Sequence, residues 1–323
     1  MRVAVTGGSG VVGSAVVVHL LASGHDVWAL ARSSESAAKL DALGASVIHG
    51  DVADEDAVER LVKGSRRVFH VAGVNELCSR DPARMWRVNV EATVALLAAS
   101  DRAGVERFIH TSSAVTIGEE SGEVGSETSA HRGYFLSEYE RSKTVAERLV
   151  LDTTRDIEVV SVNPSSVQGP GRSSGTGRLL LAAARGRLPL LVDTTFSLVD
   201  IDDCARGHLL AAEAGAPGDR YILSGAVLTV RDALGILNRR LGRSRRTWFI
   251  RSGVVTALAP WVDRFSRLGA KQSPLCAESA RVLVHGHRHD GSKARAELGL
   301  EYTAAEETLL RTLDWFRVEG MLD

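Results

Sequence analysis

The N-terminal stretch Arg2–Leu21 constrains the fold more than any other part of the chain. Arg2–Thr6 is a short β-branched run bounded by Gly7 and Gly8, and Val11–Leu21 is an apolar stretch that stops before Ser23-Gly24. The first predicts a buried strand and the second a helix. Between them lies TGGSGVVG, with Gly7, Gly10 and Gly13 three residues apart. A strand, a glycine turn and a helix N-terminus bring free backbone N–H groups and the positive end of a helix dipole to one point, which suits an anion. Glycine is needed there because a side chain would hold a pyrophosphate away and because such turns often require positive φ. The stretch therefore predicts a dinucleotide phosphate site formed by Gly7, Ser9, Gly10, Val11, Val12 and Gly13.

The rest of the first half alternates. Strands are predicted at Asp26–Leu30, Ser46–His49, Arg67–Val71, Val105–Thr111 and Glu158–Val162. Helices are predicted up to Leu43, at Asp54–Lys63, from Asp81-Pro82 to about Ala103, and at Tyr134–Leu151. Apolar strands alternating with helices predict an α/β fold with a doubly wound parallel sheet, the Rossmann arrangement. Past Asn163-Pro164 the rhythm breaks. Gly169–Gly177 reads as a loop, and Leu179–Ala184 begins a short helix. Phe196–Val199 and Tyr221–Leu223 read as strands around a helix at Asp202–Ala214. Helices then follow at Val230–Leu241, Gly253–Leu268, Ala277–Val284 and Ala304–Val318. The expected organisation is a dinucleotide-binding domain over 1–168, with 196–224 returning to it, and a smaller, mostly helical C-terminal substrate lobe over most of 169–323.

With 323 residues, 44% of them hydrophobic and 24% charged, the chain can bury a large core. A formal net charge of −1 gives no general attraction to nucleic acid or to an anionic membrane. The polar and glycine residues near the N-terminus interrupt any signal-peptide core, and no apolar run reaches the length of a membrane span. The expectation is a cytoplasmic enzyme. Cys78, Cys204 and Cys276 show no close spacing, which argues against a disulfide framework or a zinc site.

Two further stretches carry chemistry. Tyr139 and Lys143 are four residues apart on a predicted helix, so a phenol and an ammonium share one face. A neighbouring cation favours the phenolate, and a phenol so tuned can exchange a proton with a carbonyl or alcohol oxygen at neutral pH. Thr111-Ser112-Ser113-Ala114 closes the fifth strand, where a hydroxyl at the carboxyl end of a central strand faces the ligand cleft.

In order, TGGSGVVG, VFHVAG (68–73), NVEATVALL (89–97), TSSA (111–114), YERSKTVAE (139–147) and VNPSSVQGPG (162–171) resemble the extended short-chain dehydrogenase/reductase family. The similarity is nearest to its dihydroflavonol-reductase, 3β-hydroxysteroid-dehydrogenase and sugar-epimerase branch. It is close over about the first 210 residues and weaker beyond. The resemblance implies catalysis by Ser113, Tyr139 and Lys143: the serine orients a carbonyl, the tyrosine transfers a proton, and the lysine holds the nicotinamide ribose and lowers the tyrosine pKa. It also implies Asp51 and Val52 beside the adenine, Ala72 and Gly73 along the cofactor groove, and Pro164 to Val167 at the nicotinamide.

Arg32 and Ser33 follow the second strand, and no acidic residue stands before Glu35, which favours NADP(H) over NAD(H). Ser113 is followed by Ala114 and Val115 rather than by the Asp-Glu pair of the family's dehydratases. The expected activity is therefore carbonyl reduction or alcohol oxidation on a small to medium ketone, aldehyde or secondary alcohol. An NAD(P)-dependent nucleotide-sugar epimerase or reductase is the alternative. No metal is expected: His285, His287 and His289 alternate as on a partly buried strand with no carboxylate cluster beside them. Arg239, Arg240, Arg243, Arg245 and Arg246 read as the exposed face and end of a helix. The resemblance further implies a homodimer through the helices at 83–103 and 134–151.

Overall fold

The computed structural model describes residues 1–242, 247–251, 253–255 and 276–322. In chain order the strands are β1 (Arg2–Thr6), β2 (Asp26–Ala31), β3 (Ser46–His49), β4 (Arg67–His70), β5 (Arg107–Thr111), β6 (Glu158–Pro164), β7 (Ser166–Gln168), β8 (Leu190–Val192), β9 (Thr195–Asp200), β10 (Arg220–Leu223), β11 (Ala226–Thr229) and β12 (Trp248–Ile250). The helices are α1 (Val11–Ala22), α2 (Ser34–Leu43), α3 (Glu55–Val62), α4 (Pro82–Trp86), α5 (Ala92–Arg102), α6 (Glu138–Leu151), α7 (Thr176–Ala184), α8 (Ile201–Ala214), α9 (Val230–Leu241), α10 (Ala277–His285), α11 (Ser292–Leu298) and α12 (Ala305–Val318).

Seven strands form one parallel sheet in the order β10-β6-β5-β4-β1-β2-β3. Side chains alternate across it. Val3 and Val5 of β1 pack with Val16, Val17 and Leu20 of α1 on one face, and Ala4 packs toward Leu61 of α3 and Leu96 of α5 on the other. Both faces are covered, which is why these strands read as continuous apolar runs. The chain leaves β1 toward β2 on one side and returns to β4 on the other, so the order reverses at β1 and opens a cleft at the strands' carboxyl ends.

A three-stranded sheet, β11-β9-β7, and a two-stranded one, β12-β8, stand beside the main sheet. Sequence reading finds β9 but not β7, β8, β11 or β12, each three or four residues long and too short to show a period. It also misses α11. The helix expected from Tyr134 begins at Glu138, because the Ser137 hydroxyl caps it by accepting from the Glu140 N–H at 3.1 Å. The helix opened by Asp81-Pro82 runs through a π turn at Arg87–Glu91 between α4 and α5. The helix expected at Gly253–Leu268 lies almost wholly outside the described residues, as do Arg243, Arg245 and Arg246. Arg239 and Arg240 lie on α9 and pair with Glu306 and Asp314 of α12.

The cysteine reading needs correction. Cys78, in the loop after β4, is disulfide-bonded to Cys276, the N-cap residue of α10, 198 positions away. Spacing along the chain gave no sign of this pair, because the fold alone brings the two segments together. Cys204 is free and buried. Among the described residues no helix is long and apolar enough to cross a membrane.

Candidate active site

The glycine turn is built on close backbone approach. Gly7 has φ +71°, and a Cβ there would lie 2.5 Å from the Ala72 nitrogen, against the segment leaving β4. A Cβ on Gly13 would collide with the Gly7 carbonyl, locking α1 onto the turn. The Gly10 N–H donates to the Gly7 carbonyl at 3.0 Å, and Gly10 is the N-cap of α1 with no side-chain cap. The N–H groups of Val11 and Val12 are therefore left for an outside acceptor. Lys39 Nζ reaches across from α2 to the Ser9 carbonyl at 2.8 Å and steadies the loop. No bulky side chain fills the turn, and the residues present fit a dinucleotide pyrophosphate.

Beyond the turn, Arg32 at the end of β2 faces Asp51 after β3, with Nη1 3.7 Å from Oδ2 and both side chains substantially exposed. Asp51 Oδ1 also accepts from the Ala53 N–H at 3.0 Å. The arginine that sequence reading assigns to a 2′-phosphate and the aspartate it assigns to the adenine side thus share one edge of the cleft. Val52 is buried among the residues packing α3 on the sheet.

The groove continues along β4. The Ala72 N–H donates to Thr6 Oγ1 at 3.3 Å, and a Cβ on Gly73 would stand 4.0 Å from Lys143 Nζ. The Lys143 ammonium is buried and donates to the Thr111 carbonyl at 2.7 Å. Burial lowers this amine to about 8, opposed by the Glu147 carboxylate one turn along α6. Pro164 ends β6 in the register of Leu223, and Val167 of β7 is buried in the core rather than exposed along the cleft.

Ser113 is buried and follows β5 in an extended conformation, with φ −158°. The Tyr139 phenol is pushed up by burial, and the Ser113 hydrogen bond and the charge of Arg172 oppose that rise. Arg172 stands on the loop between β7 and α7, and Lys143 holds the Thr111 carbonyl. Burial lowers the guanidinium in turn. The other tyrosine nearby, Tyr134, is 52% exposed and outside the cleft.

Behind these groups lies a buried polar network that sequence reading did not assign. Asn163 of β6 donates through Nδ2 to the Ser113 carbonyl at 3.3 Å, to Thr116 Oγ1 at 2.9 Å and to Glu147. Glu147 also accepts from Ser161 Oγ at 3.2 Å and from Arg220 Nη1 at 3.2 Å. Asn89, inside the π turn, holds the other wall: Oδ1 accepts from the Val74 N–H at 2.7 Å, and Nδ2 donates to the Val74 carbonyl and to Ser142 Oγ, both at 2.9 Å. A polar residue on the apolar side of a helix is the one signal that could have marked Asn89 and Glu147. Arg172, inside a glycine- and serine-rich loop, carried none.

The arrangement brings two hydroxyl side chains, those of Ser113 and Tyr139, to the carboxyl end of the sheet near the glycine turn, chemistry able to exchange a proton with a bound oxygen. Residues 3–224 match the model of the NAD dependent epimerase/dehydratase family. The chain is 31% identical to sterol demethylase protein B of Methylococcus capsulatus, over 100% of both chains. It is 32% identical to 2-alkyl-3-oxoalkanoate reductase of Stenotrophomonas maltophilia, over 97% of this chain and 98% of that one. Among solved structures it resembles a nucleoside-diphosphate-sugar epimerase from Pseudomonas aeruginosa, with a TM-score of 0.81 at 26% identity, over 100% of this chain and 99% of the other.

Proposed function

From the premise that this chain belongs to the NAD-dependent epimerase/dehydratase family and is an NAD(P)-dependent oxidoreductase, we propose that it is an NADP(H)-dependent carbonyl reductase, reversible as an alcohol dehydrogenase. Its substrate is a small to medium ketone, aldehyde or secondary alcohol. The observation that carries this reading is the placement of Ser113, Tyr139 and Lys143 together at the carboxyl end of β5, near Gly73.

Hydride comes from the nicotinamide, or returns to it, when the cofactor is bound. Gly7, Ser9, Gly10, Val11, Val12 and Gly13 hold its pyrophosphate, Arg32 its 2′-phosphate, and Ala72 and Gly73 line its path toward Lys143. Asp51, Val52 and Pro164 complete that contact set in the proposal. The Ser113 hydroxyl orients the carbonyl oxygen, and the Tyr139 hydroxyl donates the proton that oxygen takes up. Charge building on the tyrosine oxygen is stabilised by Arg172, whose influence already opposes the effect of burial there. The printed name of the Stenotrophomonas relative, a reductase of an oxo group on an alkyl chain, supports a ketone substrate. Ala114, where the dehydratases carry an acid, is buried and apolar, which supports a reaction without loss of water.

A nucleotide-sugar epimerase or reductase is the second reading, favoured by the likeness to the Pseudomonas protein. The purified protein separates the two. Net consumption of NADPH with a panel of apolar ketones supports the reductase. Tightly retained NAD with no net consumption of either cofactor overturns it. We also assign a homodimer to the helices at 83–103 and 138–151. The exposed apolar Val94 and Leu149 on them support this, and a monomer in sedimentation analysis would refute it.

A further inference from the structure

Sequence reading left His285, His287 and His289 without a carboxylate partner, and the structure supplies one. Glu119, six residues beyond Ser113, points into the three imidazoles from a segment more than 160 residues away. Its Oε1 lies 3.4 Å from His285 Nε2 and 2.8 Å from His287 Nδ1, and its Oε2 lies 3.2 Å from His289 Nε2. The ligand atoms of Glu119, His287 and His289 all fall within 4.8 Å of one another. The histidines are also not on one strand as expected: His285 is the last residue of α10, Gly286 turns with φ +68°, and His289 bridges to Gly125.

We propose that Glu119, His287 and His289 form a site for a divalent transition ion of the zinc type, clasping the C-terminal segment to the loop that follows Ser113, with His285 packed against Glu119 beside it. Two imidazole nitrogens and one carboxylate oxygen form a ligand set suited to zinc, with a fourth position left for water. Bonds of about 2.0–2.1 Å in a tetrahedron place ligand atoms roughly 3.3–3.4 Å apart. The His287 and His289 contacts to Glu119, 2.8 and 3.2 Å, lie near that spacing.

Hydrogen bonding within the protein does not account for the cluster by itself. His285 Nε2, His289 Nε2 and Glu119 Oε2 are buried without a hydrogen bond of good geometry, although each lies within ion-pair distance of its counterpart. Side-chain exposure is 4% for His285, 13% for His287, 2% for His289 and 2% for Glu119. Three imidazolium charges around one buried carboxylate would leave an uncompensated positive site.

The site is also preorganised without any metal. Ser121 Oγ donates to the His285 carbonyl at 3.2 Å, Thr195 Oγ1 to the Gly286 carbonyl at 3.1 Å, and the His289 N–H to Ser197 Oγ at 2.8 Å. The Gly125 N–H donates to the Arg288 carbonyl at 2.9 Å. The C-terminal segment that carries the two imidazole ligands therefore hangs from backbone fixed by other bonds.

The test uses the full chain without a histidine tag. Metal content is measured as purified, the protein is stripped with a chelator, and Co2+ is titrated in as a spectroscopic stand-in for Zn2+. The expected result is uptake of one Co2+ per chain with the intense visible absorption of a tetrahedral ion, abolished by one equivalent of Zn2+. A rise in unfolding temperature should follow on loading. The pair of variants His287→Gln and Glu119→Gln should each weaken Co2+ binding by at least about tenfold. Lack of stoichiometric uptake by the stripped wild-type chain overturns the proposal and leaves a carboxylate–imidazole network. Uptake that is unchanged in both variants also overturns it, because the metal then sits elsewhere.

Discussion

The two sides of the cleft are made in different ways. The nucleotide side is made chiefly of backbone: Gly7, Gly10 and Gly13 bring main-chain groups together, with Lys39 steadying the loop from α2. The substrate side is made of side chains that meet across long separations. Arg172 acts on Tyr139, Asn163 and Glu147 brace Ser113, and α10 is fixed at both ends, through Cys276 to Cys78 and through His285 to Glu119. Glu278 of α10 adds to this by accepting from the Cys78 N–H at 2.7 Å and the Glu138 N–H at 2.9 Å. A backbone-made site tolerates almost no added atom, and a side-chain-made site depends on partners staying in register.

Substitutions that harm one side and spare the other will sharpen or break this contrast. The largest effect is expected from Tyr139→Phe, which should lower turnover by ~10²–10⁴-fold with cofactor affinity nearly unchanged, as read by steady-state kinetics and NADPH titration. Unchanged turnover would remove Tyr139 from the chemistry. Cys78→Ser comes next. It opens the link to α10 and should cost about 2–4 kcal/mol in denaturant unfolding. Any kinetic penalty should fall on substrate KM rather than on NADPH binding, and weaker NADPH binding alone would place the disulfide on the wrong side of the contrast. Gly13→Ala forces a methyl group against the Gly7 carbonyl at a cost of ~1–3 kcal/mol. It should appear as ~10–100-fold weaker NADPH binding, and wild-type affinity would show that the turn is not the pyrophosphate site. Arg32→Asp has the smallest expected effect, about a tenfold swing in preference from NADP(H) toward NAD(H). Equal use of both cofactors before and after would count against Arg32.

The contrast also explains what could be read from the sequence. The apolar strands of the main sheet, the glycine turn after β1 and the placement of Tyr139 and Lys143 on one helix are local patterns, and each lies where it was expected. The start of α6 was misplaced because a serine cap at Ser137 decided it, not the apolar period. Arg172, the Cys78–Cys276 link and the Glu119 partnership with three histidines were invisible for a common reason. Their meaning lies in contacts between segments that share no local pattern. Even for Lys143 the immediate partner could not be read, because the Thr111 carbonyl belongs to β5, a separate segment.

The bond between Cys78 and Cys276 turns most of the polypeptide into a covalent ring. A protease that cuts once anywhere between these two positions opens the ring without releasing a fragment. The nicked product would run as one species on a non-reducing gel and separate into two only when thiol is added.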